Sequence, residues 1–171
     1  RMGEAVVDAL LVTRLPNVRY LTGFTGSAAT LLVGPEELLV VTDGRYQTQV
    51  GEQLAAAGVD ARVEIGRTQA EQLERLEGAV GPYGRLGLEA HGITWAEQRT
   101  LAERLTDTEL VPTEDLVEAL RRVKDDGEVA RIRAACAIAR DALAELLPNL
   151  ADGPTEADFA VSLEHAMRRR G

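Results

Sequence analysis

Short apolar runs recur through roughly the first two thirds of this 171-residue chain. Runs of this length are typical of strands buried within a sheet. They constrain the fold more than any other feature, because such strands must be covered by helices. The predicted strands are Asp8–Thr13, Ala28–Val33, Leu38–Thr42, Ala61–Ile65, Arg85–Glu89 and Glu109–Val111.

Segments with helical spacing separate most of these strands. Gly44–Ala57 is one predicted helix, and Thr68 and Thr94 each begin another, with Glu three residues later as in a capping box. Gly34–Glu37 instead separates two strands by a turn of hairpin length. This order predicts an α/β fold, a mixed β-sheet flanked by helices.

The pattern becomes entirely helical after about Thr113. A short helix near Leu116–Val123 precedes a longer one whose apolar residues recur every three or four positions, which indicates a single apolar stripe. The stripe comprises Val129, Ile132, Cys136, Ala139, Leu143, Leu146 and Leu150. A last amphipathic helix begins near Thr155. We predict a division into residues 1–115 and 116–171, and expect Cys136 to pack in a core. Because two helices form only a thin core, we expect their apolar faces to need further cover.

Composition excludes several classes of protein. The formal charge of −9 and the absence of a Lys/Arg stripe argue against nucleic-acid binding, which needs a basic surface. No apolar run is long enough to span a membrane, and the first residues lack the features of a signal peptide. One cysteine rules out a disulfide framework. We therefore expect a cytoplasmic protein that binds neither nucleic acid nor membrane.

No catalytic or metal-binding motif is present in the sequence. His91 and His165 are far apart and neither lies in a metal-binding spacing, so we expect this chain to bind no metal. His91 lies between a predicted strand and a predicted helix, where it either occupies a turn or contacts a ligand. Carboxylates are numerous but scattered, and no pair is placed as an acid/base couple.

The stretch NVRYLTGFTGSAA, Asn17–Ala29, allows two interpretations. In the first it is a strand, a turn and a strand, with Tyr20 and Phe24 in the core. In the second it is a loop that presents an aromatic side chain to a ligand. The sequence alone leaves both open.

Arg45 raises a related question. It follows Asp43, which can cap the next helix, and therefore falls in a first helical turn, where a cation is electrostatically disfavoured. An arginine in such a position usually has a partner. That partner is either a carboxylate of the fold or an anionic group of a ligand.

Several stretches together resemble the amino-terminal domain of the creatinase/aminopeptidase P/prolidase family, whose metallopeptidases have a pita-bread catalytic domain. The similar segments are DALLVT, NVRYLTGFTGSAATLLV, TDGRYQTQ, LGLE, LVEALRRVKDDGEVARIRAACAIA and GPTEADFAVSLEHAMRRRG. They occur in the family's order and spacing over nearly the whole chain. The last two resemble the entry into the catalytic domain and one of its helices.

The resemblance implies a mixed sheet of ribonuclease-H-like topology. It also implies a full-length parent with two divalent ions, manganese, cobalt or zinc, that activate water against an Xaa-Pro bond. Their ligands would lie beyond this chain, which would contain no catalytic residue. In this family the amino-terminal domain leans over the active site, often that of the other subunit of a homodimer. We predict Tyr20, Phe24, Arg45 and His91 as the substrate-proximal residues, of which the loop from Tyr20 to Phe24 is the element that the resemblance favours.

Two hypotheses about function follow. In the first, the chain is the amino-terminal portion of an Xaa-Pro peptidase and is inactive alone. In the second, it is a stand-alone, non-catalytic binding or interaction module of the same fold. The chain begins with Arg1 in the middle of a pattern and its last helices lack cover, which favours the first.

Overall fold

A computed structural model describes residues 2, 3 and 5–171; Arg1 and Glu4 lie outside the described residues. The chain forms two compact units, one that ends at Arg121 and one that spans Arg122–Gly171. All but the last residue of the helix at residues 116–122, which the sequence assigned to the second part, lies in the first unit. The assignment of the two parts as domains stays a prediction.

The first unit contains a six-stranded sheet in the order β4-β3-β2-β1-β5-β6. Strand β2 runs antiparallel to its neighbours β1 and β3, whereas the pairs β3–β4, β1–β5 and β5–β6 are parallel. The predicted mixed sheet and its hairpin are confirmed. The strands are β1 Ala9–Val12, β2 Ala29–Val33, β3 Leu38–Thr42, β4 Arg62–Ile65, β5 Arg85–Glu89 and β6 Glu109–Thr113.

Helices connect most of the strands, and local sequence signals explain where they begin and end. Thr94 and Glu97 form the predicted capping box. Gly58 adopts a left-handed conformation, with φ of 66°, where a helix ends. The helices of this unit are α1 Leu15–Thr22, α2 Gln47–Ala57, α3 Gln69–Val80, α4 Trp95–Arg104 and α5 Leu116–Arg122, and a 3₁₀ turn, Gly44–Tyr46, precedes α2.

Helix α1 replaces the strand and turn that one interpretation of Asn17–Ala29 predicted, so that interpretation was wrong for its first half. Pro16 presets a helical φ in the first turn, and Gly23, with φ of 75°, ends the helix. Val18 is fully buried and holds the helix against the sheet. The Pro and Gly signals are visible in the sequence, but they also fit a turn.

The core has two layers because alternate residues of each strand face opposite sides of the sheet. In β1, Ala9 and Leu11 pack with α3 and α4, while Leu10 and Val12 pack with α1, α2 and α5. Both sides of the sheet are therefore covered within the first unit, as an α/β fold requires.

The second unit is a helical hairpin made of α6 Asp126–Leu146, a 3₁₀ turn Leu147–Asp152 and α7 Glu156–Arg168. Its small core contains Ala142, Leu146 and Ala166. Glu145 accepts hydrogen bonds from Arg169, at 2.8 Å, and from Arg170. These contacts lie on one side of α6 only.

Most of the predicted apolar stripe is exposed in this unit. Ile132 and Leu143 are 49% and 41% exposed, and Cys136 is exposed, so the expectation that it packs in a core was wrong for this chain. The physical reason is that α7 packs against the face of α6 that bears Ala142, which includes Leu146 of the stripe but leaves Ile132, Cys136 and Leu143 exposed. The expectation that the stripe needs further cover stays a prediction.

We expect the isolated chain to self-associate through this stripe, because exposed aliphatic side chains gain on the order of 1 to 2 kcal/mol each on burial. Light scattering at micromolar concentration should give a mass above that of the monomer. Ile132→Glu should lower it, whereas Ala134→Glu, which adds the same charge at an exposed position outside the stripe, should not. A monomeric wild-type chain at these concentrations would contradict this expectation.

Candidate functional site

The carboxyl ends of β1, β3, β4, β5 and β6 meet at one edge of the sheet, together with the start of β2. We call this the carboxyl edge. In open α/β sheets ligands bind there, at the point where successive connections change direction. Three of the predicted site residues lie in loops at this edge: Phe24 before β2, Arg45 after β3 and His91 after β5.

One group of side chains at the carboxyl edge comprises Ser27, Asp43, Arg45 and Tyr46, and we call it the loop cluster. Asp43 accepts a hydrogen bond from the backbone N of Arg45 at 2.9 Å and from its guanidinium Nη2 at 2.7 Å. The Arg45 guanidinium carbon lies 5.1 Å from the centre of the Tyr46 ring. Tyr46 Oη and Ser27 Oγ are 2.7 Å apart, which is a hydrogen-bonding distance. The partner of Arg45 within the fold is therefore a carboxylate.

These contacts shift the ionisation of three groups. The hydrogen bond from Arg45 lowers the pKa of Asp43, and the same bond raises the pKa of Arg45. The hydrogen bond with Ser27 lowers the pKa of Tyr46. Arg45 nevertheless keeps 67% of its side chain exposed. The cluster thus presents a cation and a phenol hydroxyl to solvent.

Phe24 lies beneath the loop cluster as part of the core. Its side chain is 1% exposed, and its ring meets that of Tyr46 edge to face with centroids 5.5 Å apart. Thr25 next to it donates its backbone N–H to Gln53 of α2 at 2.8 Å. The core interpretation is therefore correct for the ring of Phe24, and the expectation that it faces outward was wrong. The apolar ring anchors a loop of otherwise small residues.

Tyr20 and His91 lie apart from the loop cluster. Tyr20 is on helix α1 and is 40% exposed, and His91 is exposed two residues beyond β5. Among the described residues, no hydrogen bond, ion pair or ring contact joins either side chain to Arg45 or Tyr46. Phe24 and Arg45 thus both contact Tyr46, while Tyr20 and His91 are separate surface positions.

A second polar group lies where β1 and β5 adjoin. The chain passes from β1 outward to β4 and then crosses to β5 on the other side of β1, so this is the point where the connections change direction. We call Arg14, Asn17, Glu89, Glu118 and Arg121 the switch-point network. Asn17 and Glu89 are buried, with 0% and 8% of their surfaces exposed.

Glu89 is the acceptor at the centre of this network. Its Oε2 accepts the backbone N–H groups of Thr13 and Arg14 at 2.7 and 2.8 Å, and its Oε1 accepts from Asn17 Nδ2 at 2.6 Å. Arg14 precedes the first residue of α1 and has no side-chain cap of its own. The carboxylate thus lies at the amino terminus of α1, where the helix dipole favours an anion.

Asn17 links Glu89 to helix α5. The same Nδ2 donates to Glu118 Oε1 at 2.7 Å, and Asn17 Oδ1 accepts from Arg121 Nη1 at 2.8 Å. Glu118 Oε1 also accepts from Arg14 Nη1 at 2.6 Å. Burial by itself raises the pKa of Glu118, but the hydrogen bonds, led by that from Asn17, and the two arginines together lower it. Two guanidinium groups therefore balance two carboxylates.

Sequence reasoning did not single out Ser27, Tyr46 or the acidic and amide members of the switch-point network. The available signals were a carboxylate at the end of an apolar strand, Glu89, and an Asn in the first turn of a helix. Neither signal identifies its partner, because Asn17 and Glu89 are 72 positions apart.

At the carboxyl edge, on the face of the sheet opposite the loop cluster, a groove of about 460 Å³ lies between α3 and α4. Leu73, Leu76 and Ile93 line it, with Gln and Thr side chains around them. Glu97, the carboxylate among the described lining residues, accepts hydrogen bonds from Thr94 in the cap of α4. The groove therefore offers little acid–base chemistry.

The described part of the chain contains no group of three or more His, Cys, Asp and Glu side chains that could hold a metal ion. The residues present thus do not fit the metal centre that the resemblance implies for a full-length protein.

Within the same described ranges, no helix combines the length and apolar character needed to cross a bilayer.

The six-stranded mixed sheet, flanked by helices and followed by a helical segment, defines an α/β domain. The family model that matches is the Creatinase/Prolidase N-terminal domain, over residues 1–123, and the chain belongs to this family. The resemblance drawn from the motifs is confirmed.

The chain is similar to peptidases from several organisms. It is 32% identical to the uncharacterized peptidase YqhT of Bacillus subtilis over 99% of this chain and 47% of the relative. The structure of an Xaa-Pro dipeptidase from Bacillus anthracis matches with a TM-score of 0.89 and 28% identity, over 99% of this chain and 46% of that one. The N-terminal domain of cytoplasmic peptidase PepQ from Mycobacterium tuberculosis matches with a TM-score of 0.61 and 36% identity, over 70% of this chain and 91% of that one. The chain spans about half the length of the curated relatives it matches.

Glu89→Gln should lower the free energy of unfolding by about 1 to 3 kcal/mol, the cost of an unsatisfied buried polar group. The side-chain NH₂ of the new glutamine must face either the backbone N–H groups of Thr13 and Arg14 or the side-chain NH₂ of Asn17. All of these groups are donors, so the hydrogen bonds on that side are lost. Urea unfolding followed by circular dichroism measures the change. Glu52→Gln, at an exposed position, is the control and should be nearly neutral. Equal effects of both variants would contradict the assigned hydrogen bonds.

Stability should also depend on the ionisation of Glu118. Because the folded-state pKa lies below the usual 4.5, ionised Glu118 stabilises the fold above that pH, and this contribution is lost as pH falls through the folded pKa. The wild type should therefore be more stable than Glu118→Gln at pH 6. The difference should shrink between about pH 5 and pH 3. A difference that stays constant over this range would contradict the pKa direction.

Proposed function

We propose that this chain is the amino-terminal portion of a metal-dependent Xaa-Pro peptidase, of the aminopeptidase P or prolidase type. In this proposal it shapes and covers the active site, supports dimerisation and is inactive alone. The observation that carries the proposal is the similarity, along nearly the whole chain, to an Xaa-Pro dipeptidase about twice as long. The described residues offer no alternative metal centre.

The catalytic chemistry would come from residues outside this chain. Two divalent ions, manganese, cobalt or zinc, would be held there and would supply an activated water. The contribution of this chain would be to limit the length of the bound peptide and to contact the end far from the metals. We propose a homodimer in the cytoplasm, in which this portion faces the active site of the other subunit.

The loop cluster is the best candidate for substrate contact on this chain. Asp43 occupies Nε and Nη2 of Arg45, while much of the guanidinium remains exposed and could attract the carboxylate of a peptide. The rings of Tyr46 and Tyr20 offer apolar faces for a rigid proline ring. Phe24 would act indirectly, by anchoring the loop. His91, exposed at the same edge, is the remaining candidate.

A stand-alone, non-catalytic module is the second candidate. The first unit supports it, because its sheet is covered on both faces by its own helices. The length of the native open reading frame distinguishes the two. A frame that ends near residue 171 favours the module, and a frame about twice as long favours the peptidase.

Arg45→Gln in the full-length protein should raise KM for an Xaa-Pro dipeptide about tenfold, the loss of about 1.4 kcal/mol of charge-assisted hydrogen bonding. The matched Xaa-Pro amide, which lacks the carboxylate, should be little affected. The melting temperature should hardly change, because an exposed ion pair contributes little to stability. Arg19→Gln, an exposed arginine on α1, is the control variant. Equal loss on both substrates would contradict the carboxylate assignment.

Tyr20 and Phe24 should respond differently to truncation. Tyr20→Ala should leave the melting temperature nearly unchanged and shift the ratio of kcat/KM between a dipeptide and a longer Xaa-Pro peptide. Phe24→Ala should cost about 3 to 5 kcal/mol of stability, because it empties a buried site. An unchanged substrate ratio for Tyr20→Ala would remove Tyr20 from the substrate-proximal set.

A further inference from the structure

A continuous series of contacts joins the switch-point network to the loop cluster through helix α1. Asn17 lies in the first turn of this eight-residue helix, and Thr22 is its last residue. Thr22 Oγ1 donates to Val18 O at 2.7 Å and accepts from the backbone N of Phe24 at 3.1 Å. Phe24 in turn contacts Tyr46. Each of these links is buried or partly buried, so each side chain has little freedom to move independently.

Helix α5 is held at the other end of this series mainly by polar contacts. Val117 is its buried apolar residue, at 3% exposure, and Leu116 is partly buried. Glu118 and Arg121 both bind the side-chain amide of Asn17. Asp115, just before the helix, has a φ of 53°, which is uncommon for a residue with a side chain. The position of α5 therefore depends strongly on Asn17.

Asn17 has the chemistry that this position requires. Its Nδ2 donates to two carboxylates and its Oδ1 accepts from a guanidinium, so the amide uses both its donor and its acceptor. An aspartate would bring a third carboxylate within 2.7 Å of Glu118. An aliphatic residue of similar size would leave Glu89, Glu118 and Arg121 without this contact in a buried setting.

We propose that Asn17 is a positioning residue that couples helix α5 to the loop cluster, and thereby sets the place of the residues that meet substrate. It touches no substrate itself. It acts through α1, Thr22 and Phe24. The consequence for substrate rests on the proposed function, whereas the coupling between α5 and the loop does not.

Hydrogen exchange of the chain tests the coupling directly. In Asn17→Ala, the backbone amides of Phe24 and Thr25 and those of α5 should exchange at least tenfold faster than in the wild type. The amides of α3 and α4 should be unchanged. Val80→Ala is the control, because it empties a buried position on the opposite face of the sheet and should accelerate α3 instead. Acceleration of α5 alone, or equal acceleration throughout the sheet, would overturn the proposal.

A double-mutant cycle tests the route. Thr22→Val keeps the shape of the side chain but removes the hydroxyl that binds the backbone N of Phe24. In the Thr22→Val background, Asn17→Ala should accelerate α5 but should no longer change the exchange of Phe24 and Thr25. An undiminished effect on the loop would overturn the route through Thr22. If Asn17→Ala does not fold, Glu118→Gln loosens the same helix and is subject to the same criteria.

Kinetics of the full-length protein separate this proposal from the proposed function. Asn17→Ala should raise KM for a longer Xaa-Pro peptide several-fold with little change in kcat, and Val80→Ala should change neither at a temperature where both variants are folded. Faster loop exchange with an unchanged KM would support the coupling but overturn the substrate role of the loop cluster. Unchanged loop exchange would overturn the coupling, while the Arg45 variant would still test the substrate role.

Discussion

The carboxylate of Glu89 occupies the position at which an α/β sheet of this topology would otherwise bind an anionic ligand. It lies where the connections change direction, and it accepts the free N–H groups that precede α1. The fold thus fills this site with one of its own side chains. This interaction joins β1, β5 and α1, and the placement of α5 depends on it through Asn17. The loop cluster is a part of the carboxyl edge that remains open to solvent.

The switch-point network also shows why charges can be retained in a partly buried position. Isolated buried charges are costly, but here two carboxylates face two guanidinium groups and an amide that satisfies both signs. Such a network contributes less to net stability than to a defined arrangement, because misplacing any member removes a hydrogen bond from another. Helix α5 has little apolar surface to bury, so its position depends more than that of the other helices on these polar contacts.

The two units differ in how complete they are. The first covers both faces of its sheet with its own helices. The second unit buries only one side of α6 against α7. It exposes most of the aliphatic stripe that the regular spacing of apolar residues predicted. A stripe of this regularity is ordinarily buried. Its exposure is consistent with a chain that spans about half the length of its relatives.

The sequence by itself determined the elements whose signals are local. Strand positions, the hairpin, the caps at Thr94 and Gly58 and the family could all be predicted, because each depends on residue type and short spacing. Helix α1 was missed because Pro16 and Gly23 also suit a turn, and only packing of Val18 on the sheet decides between them. Tertiary structure alone decided that Phe24 is buried and that Asn17, Glu89 and Glu118 meet. For the network, the physical reason is distance along the chain. Its hydrogen-bonded pairs are 72 to 104 positions apart, and no local pattern encodes which polar group folding brings to which.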